Sequence, residues 1–567
     1  MSFNFLILFL YFFIIITSVV GYGLILDKFI GKKNISQNFG YLGFLGLFFL
    51  TLYSYVSHLL FVHSQIHNFF IIIIGIIFFI LNFKKKYQKK KDLIILLSTF
   101  ILLFSGLLIT KNHDDFSYYH FPYTYYLTQH NLSFGIGQFG HGFRTQSSVF
   151  YLNSLFYLPF AKYYLFNIYY ILVIGFANII LINRAIADLP KSLNKFNKVN
   201  YIKYLSLISF VFINIFFYRI SEHGTDRSAQ ILIIVLIIEL LNLNYQKKFE
   251  LINLSNIYLI SALIISIKAF FILYAVFVIP IIYLITTYKY DFIDSVKLIL
   301  LNKFSFLFLL ILFFTLFTNF ANTGCLIYPI SFTCISSVSW GISIEEVNLM
   351  NNWYELWSKA GAGPNFRVEN PNDYINGFSW VGHWIEEYFF NKISDFLLGL
   401  FVLLLIISLV FNLNNFRYQN LKINKYIYIT YGIIVFLFLE WFYNHPALRY
   451  GGYCIIFMLF FIPVSLLLST VKLDLKKYFR NSIILLVLSV LIFNARNINR
   501  ISSEIEKYSY KPFAKTFYQV NENDFRIENR MDKLIKSHNK CKTINIDCEI
   551  SEGKLKVLFG RNIFINQ

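Results

Sequence analysis

The chain has 567 residues and a formal net charge of +20; 57% of its residues are hydrophobic, 20% aromatic and only 14% charged. A fold in water could not cover so much apolar surface, so lipid must serve as its solvent. Aliphatic runs such as Leu93 to Thr110, Tyr163 to Ile182 and Leu397 to Leu413 also exclude a porin-like barrel, whose strands alternate.

The positive charge falls in short clusters between apolar runs: Lys28 to Lys33, Lys84 to Lys91, Arg184 to Lys203, Lys247-Lys248, Lys289 to Lys297, Arg417 to Lys425 and Lys472 to Arg480. This is the positive-inside pattern, not the one-sided basic face of a nucleic-acid binder, and it places all these clusters in the cytoplasm. The expected fold is an all-α polytopic membrane protein of about twelve to fourteen transmembrane helices. The spans fall near 3–26, 39–62, 66–83, 93–110, 163–183, 201–218, 229–245, 251–267, 269–287, 298–320, 393–413, 426–443, 453–471 and 481–495, with both termini outside. Phe3 to Leu26 has neither a basic leader nor a small-residue cleavage site and reads as a retained helix. The divisions are three leading helices in 1–92, a core in 93–320, an outer loop with interfacial helices in 321–392, further helices in 393–495 and a soluble non-cytoplasmic tail in 496–567.

The first long outer loop, 111–162, opens with Asn112-His113-Asp114-Asp115-Phe116-Ser117-Tyr118-Tyr119-His120. Charges this close to lipid are costly unless used or paired, so Asp114 and Asp115 read as a general base or a metal ligand; a solvated turn is the plain alternative. His141 and Arg144 follow, and with Tyr119 and His120 they are expected to line an acceptor or donor path. Val149 to Phe160 is apolar but too short to span, and is expected as an interfacial or half-inserted helix.

The next outer loop packs Arg219, Glu222, His223, Asp226 and Arg227 between two apolar spans. Arginine pairs suit a phosphate, and Glu222 or Asp226 can hold a divalent cation, Mg or Mn; internal salt bridges are the alternative. Lys268 alone interrupts the apolar run Ile252 to Tyr288, which is either a tight hairpin or one span plus a re-entrant piece.

In 321–392, Val347, Met350, Tyr354 and Trp357 recur at helical spacing and predict a helix lying on the membrane. Cys325 and Cys334 share this loop and Cys541 and Cys548 share the tail, two local pairs that suit disulfides. The turn His445 to Gly452 sets a lone Arg449 at a helix end, where it and His445 face the same outer side. No Walker loop or Gly-rich dinucleotide turn occurs, so nothing points to nucleotide energy.

This order of features resembles the membrane glycosyltransferases of the GT-C superfamily. Asp114-Asp115 with Tyr118-Tyr119 stands where that family carries an acidic motif after a membrane-exiting helix, and His141 to Leu158 looks like its next segment, although the usual proline pair is missing. The resemblance covers about 93–320. It implies that Asp115, or Asp114, deprotonates an acceptor that attacks a sugar with inversion and displaces a polyprenyl phosphate. Asp115 is favoured by its spacing to Tyr118 and His120. Lys268, Arg227 and Arg449 would hold the phosphate as charge develops on it. The implied partners are membrane lipid, a polyprenyl-phosphate sugar donor and a glycan, lipid or protein acceptor of the cell envelope, with no nucleic acid; the implied location is a bacterial inner membrane with the site facing the periplasm or exterior. The rival readings are a lipid-linked glycan flippase or transporter, an O-antigen polymerase or ligase, and a scaffold.

Overall fold

The computed structural model describes residues 3–30, 38–86, 90–109, 115–186, 196–198, 200–222, 224–244, 254–288, 290–363, 368–411, 424–508, 512–513, 526–544, 554–558 and 560–565. Over these residues the chain is an all-α, multi-pass membrane protein. Nine of the described helices are long and apolar enough to cross a membrane, and four shorter apolar ones lie at 92–107, 201–216, 255–267 and 452–468.

The first three helices, α1 (Phe3–Ile30), α2 (Phe39–Leu60) and α3 (Gln65–Lys86), pack side by side. Small residues permit this: a Cβ on Gly21 would lie 1.9 Å from the Gly75 carbonyl oxygen, and one on Gly46 1.8 Å from that of Val19. After α4 (Lys90–Leu103), the short helices α5 (Phe121–Gln129) and α6 (Ser148–Ser154) lead to α7 (Ile168–Ile186), α8 (Tyr201–Phe216), α9 (Gly224–Leu243) and α10 (Ser255–Ile267). α7 to α10 form the best-buried part of the bundle. Inside it, Arg184 of α7 meets Glu239 of α9 at 2.8 Å and Tyr41 donates to the same carboxylate, which neutralises an acid in an apolar helix.

The chain continues through α11 (Val278–Thr287), α12 (Phe292–Leu300) and α13 (Lys303–Thr323) to a long connection carrying α14 (Ile344–Lys359), α15 (Pro371–Ile375) and α16 (Val381–Trp384). α17 (Ser394–Phe411), α18 (Lys425–Asn444), α19 (Gly452–Leu468) and α20 (Leu475–Tyr508) complete the bundle, and α21 (Arg526–Ile544) follows. Four helices start alike: Asn38, Asn200, Asn302 and Asn424 cap α2, α8, α13 and α18, each side chain accepting from the amide two residues on. Each cap lies in or just after a basic cluster, so one short polar segment both ends a loop and starts a span. Strand β1 (Phe196–Lys198) pairs antiparallel with β2 (Lys472–Asp474), bringing two of those basic segments together. Strands β3 (Lys554–Leu558) and β4 (Arg561–Ile565) form a C-terminal hairpin.

The structure adds detail to four of the expected segments. The apolar piece 149–160 contains a helix of only 7 residues, α6, all of them buried against neighbouring helices. The Ile252 to Tyr288 run breaks at Lys268, whose backbone is extended (φ −151°, ψ 141°), and resumes as 3-10 turns over Ala269–Phe277 before α11. The predicted start of the tail, 496–508, continues α20 as unbroken helix. α14 forms as the spacing required, yet Val347 and Met350 pack on Tyr328 and Cys325 and not on lipid. Cys325 and Cys334 are disulfide-bonded; Cys541 is also disulfide-bonded, and Cys548 lies outside the described residues.

Candidate functional site

Four ionisable side chains, each from a different break in the apolar sequence, form one chain of ion pairs. Asp226 sits in the first turn of α9, where free amides and the helix dipole favour a carboxylate. Lys268 occupies the extended residue after α10 and donates to Asp226 Oδ1. Arg449 lies in the turn between α18 and α19; its Nε donates to Asp226 Oδ2 at 2.9 Å and an Nη donates to Asp115 Oδ2 at 3.0 Å. The order is therefore Lys268, Asp226, Arg449, Asp115. Each carboxylate in it has a cationic partner, which is how charges persist away from bulk water.

The turn that carries Arg449 is held from several directions. Trp384 and Trp441 donate their indole N–H groups to the Pro446 and Ala447 carbonyls at 3.0 and 2.9 Å. Leu448 N–H donates to the Tyr388 hydroxyl at 2.8 Å, and the Gln230 side chain donates to the Arg449 carbonyl at 3.1 Å while accepting from Cys454 N–H. Gly451, at φ 108°, supplies the left-handed residue that closes the turn. The guanidinium carbon also lies 5.5 Å from the Trp357 ring centre and 5.7 Å from that of Tyr450.

Asp115, Lys268 and Arg449 face a cavity of about 870 Å³ whose wall is mostly apolar. Trp353, Tyr354 and Trp357 of α14 and the loop Ile327 to Ile330 line it as well. A space of this size suits a substantial amphiphile: apolar over most of its surface, with a few fixed charges at one place.

Residues 5–456 match a protein family described as a domain of unknown function, DUF8201. The chain belongs to DUF8201. No curated protein and no solved structure matches it. The matched region contains all four members of the ion-pair chain and every residue that lines the cavity, whereas most of α19 and all of α20, α21 and the β3–β4 hairpin lie beyond it.

Of the residues expected in the site, the DUF8201 cavity gathers Asp115, Tyr119, His141, Lys268, His445 and Arg449, and Asp226 joins them through Lys268 and Arg449. Asp114 lies outside the described residues. His120 is buried beside the cavity against Phe150, and its Nε2 has no hydrogen-bond partner among the described residues. Burial pushes its pKa down to about 4, so it is neutral at physiological pH. Burial likewise lowers His141 and raises the Tyr119 phenol well above its usual value, so neither is charged near neutrality. Arg144 does not line the cavity: it meets Glu346 at 2.8 Å and donates to the Gly137 carbonyl at 2.9 Å, tying the first loop to α14.

Arg227 and Glu222 belong to a separate cluster. One residue along α9 turns a side chain by about 100°, which carries Arg227 away from Asp226 to a place 5.8 Å from the Phe217 ring centre. Glu222 is held by Arg219 at 2.7 Å and Arg500 at 2.8 Å. Glu222 and Asp226 are thus not brought together, and each carboxylate is already engaged by two cations. Among the described residues, no group of three or more His, Cys, Asp or Glu converges as a metal site would. The sequence reading missed the cavity role of α14, Tyr450 and Glu440; the signal for Glu440 was its rarity, as one of few acids inside an apolar span.

Proposed function

We propose that this DUF8201 protein is a membrane glycosyltransferase that moves a sugar from a polyprenyl-phosphate donor to a cell-envelope acceptor. The observation that carries this reading is a base and two cations on the wall of a mostly apolar cavity: Asp115, Lys268 and Arg449. The apolar wall would take the prenyl chain, and the ion-pair chain would meet its phosphate. In the reaction, an acceptor hydroxyl or amine gives its proton to Asp115, its oxygen or nitrogen bonds to the anomeric carbon with inversion, and the bond from that carbon to the phosphate oxygen breaks. Protonation of Asp115 weakens its hold on Arg449, whose guanidinium is then free to meet the charge left on the departing phosphate. A divalent cation would arrive with that phosphate, since Glu222 and Asp226 do not converge on one.

In this reading the fourteen predicted spans cross a bacterial inner membrane, with the cavity on the periplasmic or exterior side. Phe378→Cys, at a position 64% exposed, should react with a membrane-impermeant maleimide on intact cells; protection there, with reaction after lysis, would reverse the orientation. The test of function is Asp115→Asn, compared with loss of the whole protein by mass spectrometry of envelope glycans. Both should remove the same glycan. If the variant, at normal membrane levels, left intact a glycan that the deletion removes, catalysis at Asp115 would be wrong.

A second reading, a lipid-linked glycan polymerase or ligase, draws on α14 and the 327–330 loop forming part of the cavity, because such enzymes use a large outer loop. Deletion would then shorten glycan chains or leave them untransferred, whereas a single-sugar transferase would remove one residue at a defined position.

A further inference from the structure

The cavity holds a second set of polar groups that the ion-pair chain does not use. Glu440, in the last turn of α18, lines it; its Oε1 accepts from the Asn444 side chain at 3.0 Å, and among the described residues it has no ion pair. His445, the residue after α18, lines the same cavity, and its buried Nδ1 has no hydrogen-bond partner among the described residues. Burial, with Lys359 nearby, lowers the His445 pKa to about 4, so the ring is neutral and has a nitrogen able to accept. Phe270, Tyr354 and Trp353 present aromatic surface to the same space.

The local charge balance gives these groups a direction. Glu440 is a carboxylate on a mostly apolar wall with no ion pair among the described residues; Lys268 and Arg449 are engaged by Asp226 and Asp115, and Lys359 by Glu355. A carboxylate so placed is costly unless a positive group joins it. Anions would be repelled from this end, and a neutral alcohol would return little of that cost. An ammonium group supplies the missing charge, donates to both the carboxylate and the imidazole, and is attracted to aromatic faces.

We propose that the Glu440–His445 end of the cavity binds a primary ammonium group of the substrate. This rests on the reading above only in taking the cavity as the substrate site. An amphiphile carrying both a phosphate and an amine in its polar region would satisfy Lys268 and Arg449 and Glu440 together.

The test uses the full-length protein in a neutral detergent at pH 7.5, with its tryptophan fluorescence as readout, since Trp353 and Trp357 line the cavity. The probes are hexylammonium, hexanol and hexyl phosphate. Wild type should bind hexylammonium more tightly than hexanol; Glu440→Gln should weaken hexylammonium about tenfold while leaving hexanol unchanged, and Glu440→Asp should keep most of the preference. Equal affinity of wild type for hexylammonium and hexanol would overturn the proposal, as would a Glu440→Gln protein that binds hexylammonium like wild type. If the Gln variant does not fold, the wild-type comparison and the Asp variant decide. Hexyl phosphate reports separately on the proposed function: its binding should fall when Arg449 is replaced by Gln, and a failure there leaves the ammonium result standing.

Discussion

Arg449 Nε and Asp226 Oδ2 lie 2.9 Å apart although 223 residues separate them in sequence. Asp226 also takes Lys268, and Arg449 also takes Asp115, so the pair is the centre of the chain and neither partner can change alone. Asp226→Asn would leave Lys268 and Arg449 as neighbouring cations with no shared anion. The expected cost is about 3 kcal/mol, the range for breaking a buried pair. The double variant Asp226→Asn with Lys268→Met removes one charge of each sign and should recover part of that loss. Thermal unfolding in detergent measures both; equal midpoints for wild type, single and double variants would mean that the chain carries no stability.

The buried histidines set a direction for pH. His120 and His445 have folded-state pKa values lowered to about 4, below the roughly 6.5 of an exposed imidazole. As pH falls below about 6.5 the unfolded chain gains protons that the folded one refuses, so stability is present above that value and lost between about pH 6.5 and 4. Each histidine contributes a slope of about 1.4 kcal/mol per pH unit in that window. His120→Gln removes one such group and should flatten the dependence of the unfolding midpoint on pH between 6.5 and 4. A variant with the wild-type slope would show that His120 is not the buried neutral group described.

How much of this was legible in the sequence depends on the kind of contact. Asp115, Lys268 and Arg449 stood out because each is an ionisable residue beside a long apolar run, and charge near lipid is rare. Basic-loop orientation then put them on one side, which is the pattern that the cavity gathers. The place of Arg227 could not be read from the sequence because adjacency in sequence is not adjacency on a helix: Asp226 and Arg227 point into different clusters. The spacing of Val347, Met350, Tyr354 and Trp357 correctly announced α14, but periodicity tells which residues share a face and not what that face meets. Here Val347 and Met350 take the Cys325 loop, and Trp353 and Trp357 take the cavity. Gln230 was invisible as a site residue because its role depends on a turn distant in sequence, and Glu440 showed only its rarity as an acid inside an apolar span, not what it would face.

The pairing of the C-terminal hairpin with the first loop was equally hidden, and it carries the last prediction. Phe134 N–H donates to the Asn562 carbonyl and Phe564 N–H to the Phe134 carbonyl, both at 2.9 Å, so one residue of the first loop extends the edge of β4. Gly135 follows in the left-handed region at φ 78°, and a Cβ there would lie 2.2 Å from the Phe564 carbonyl oxygen. Gly135→Ala therefore meets two penalties at once: a backbone conformation that costs an L-residue about 1 kcal/mol, and a clash with backbone that cannot swing aside. The first loop is held on its other side by Ala321, whose carbonyl accepts from Gly135 N–H at 2.7 Å, so the hairpin is the part free to leave. The variant should keep its membrane-embedded helices and lose protection of the C-terminal segment, read as faster release of a C-terminal fragment in limited proteolysis. Unchanged cleavage would mean that the hairpin does not depend on this contact.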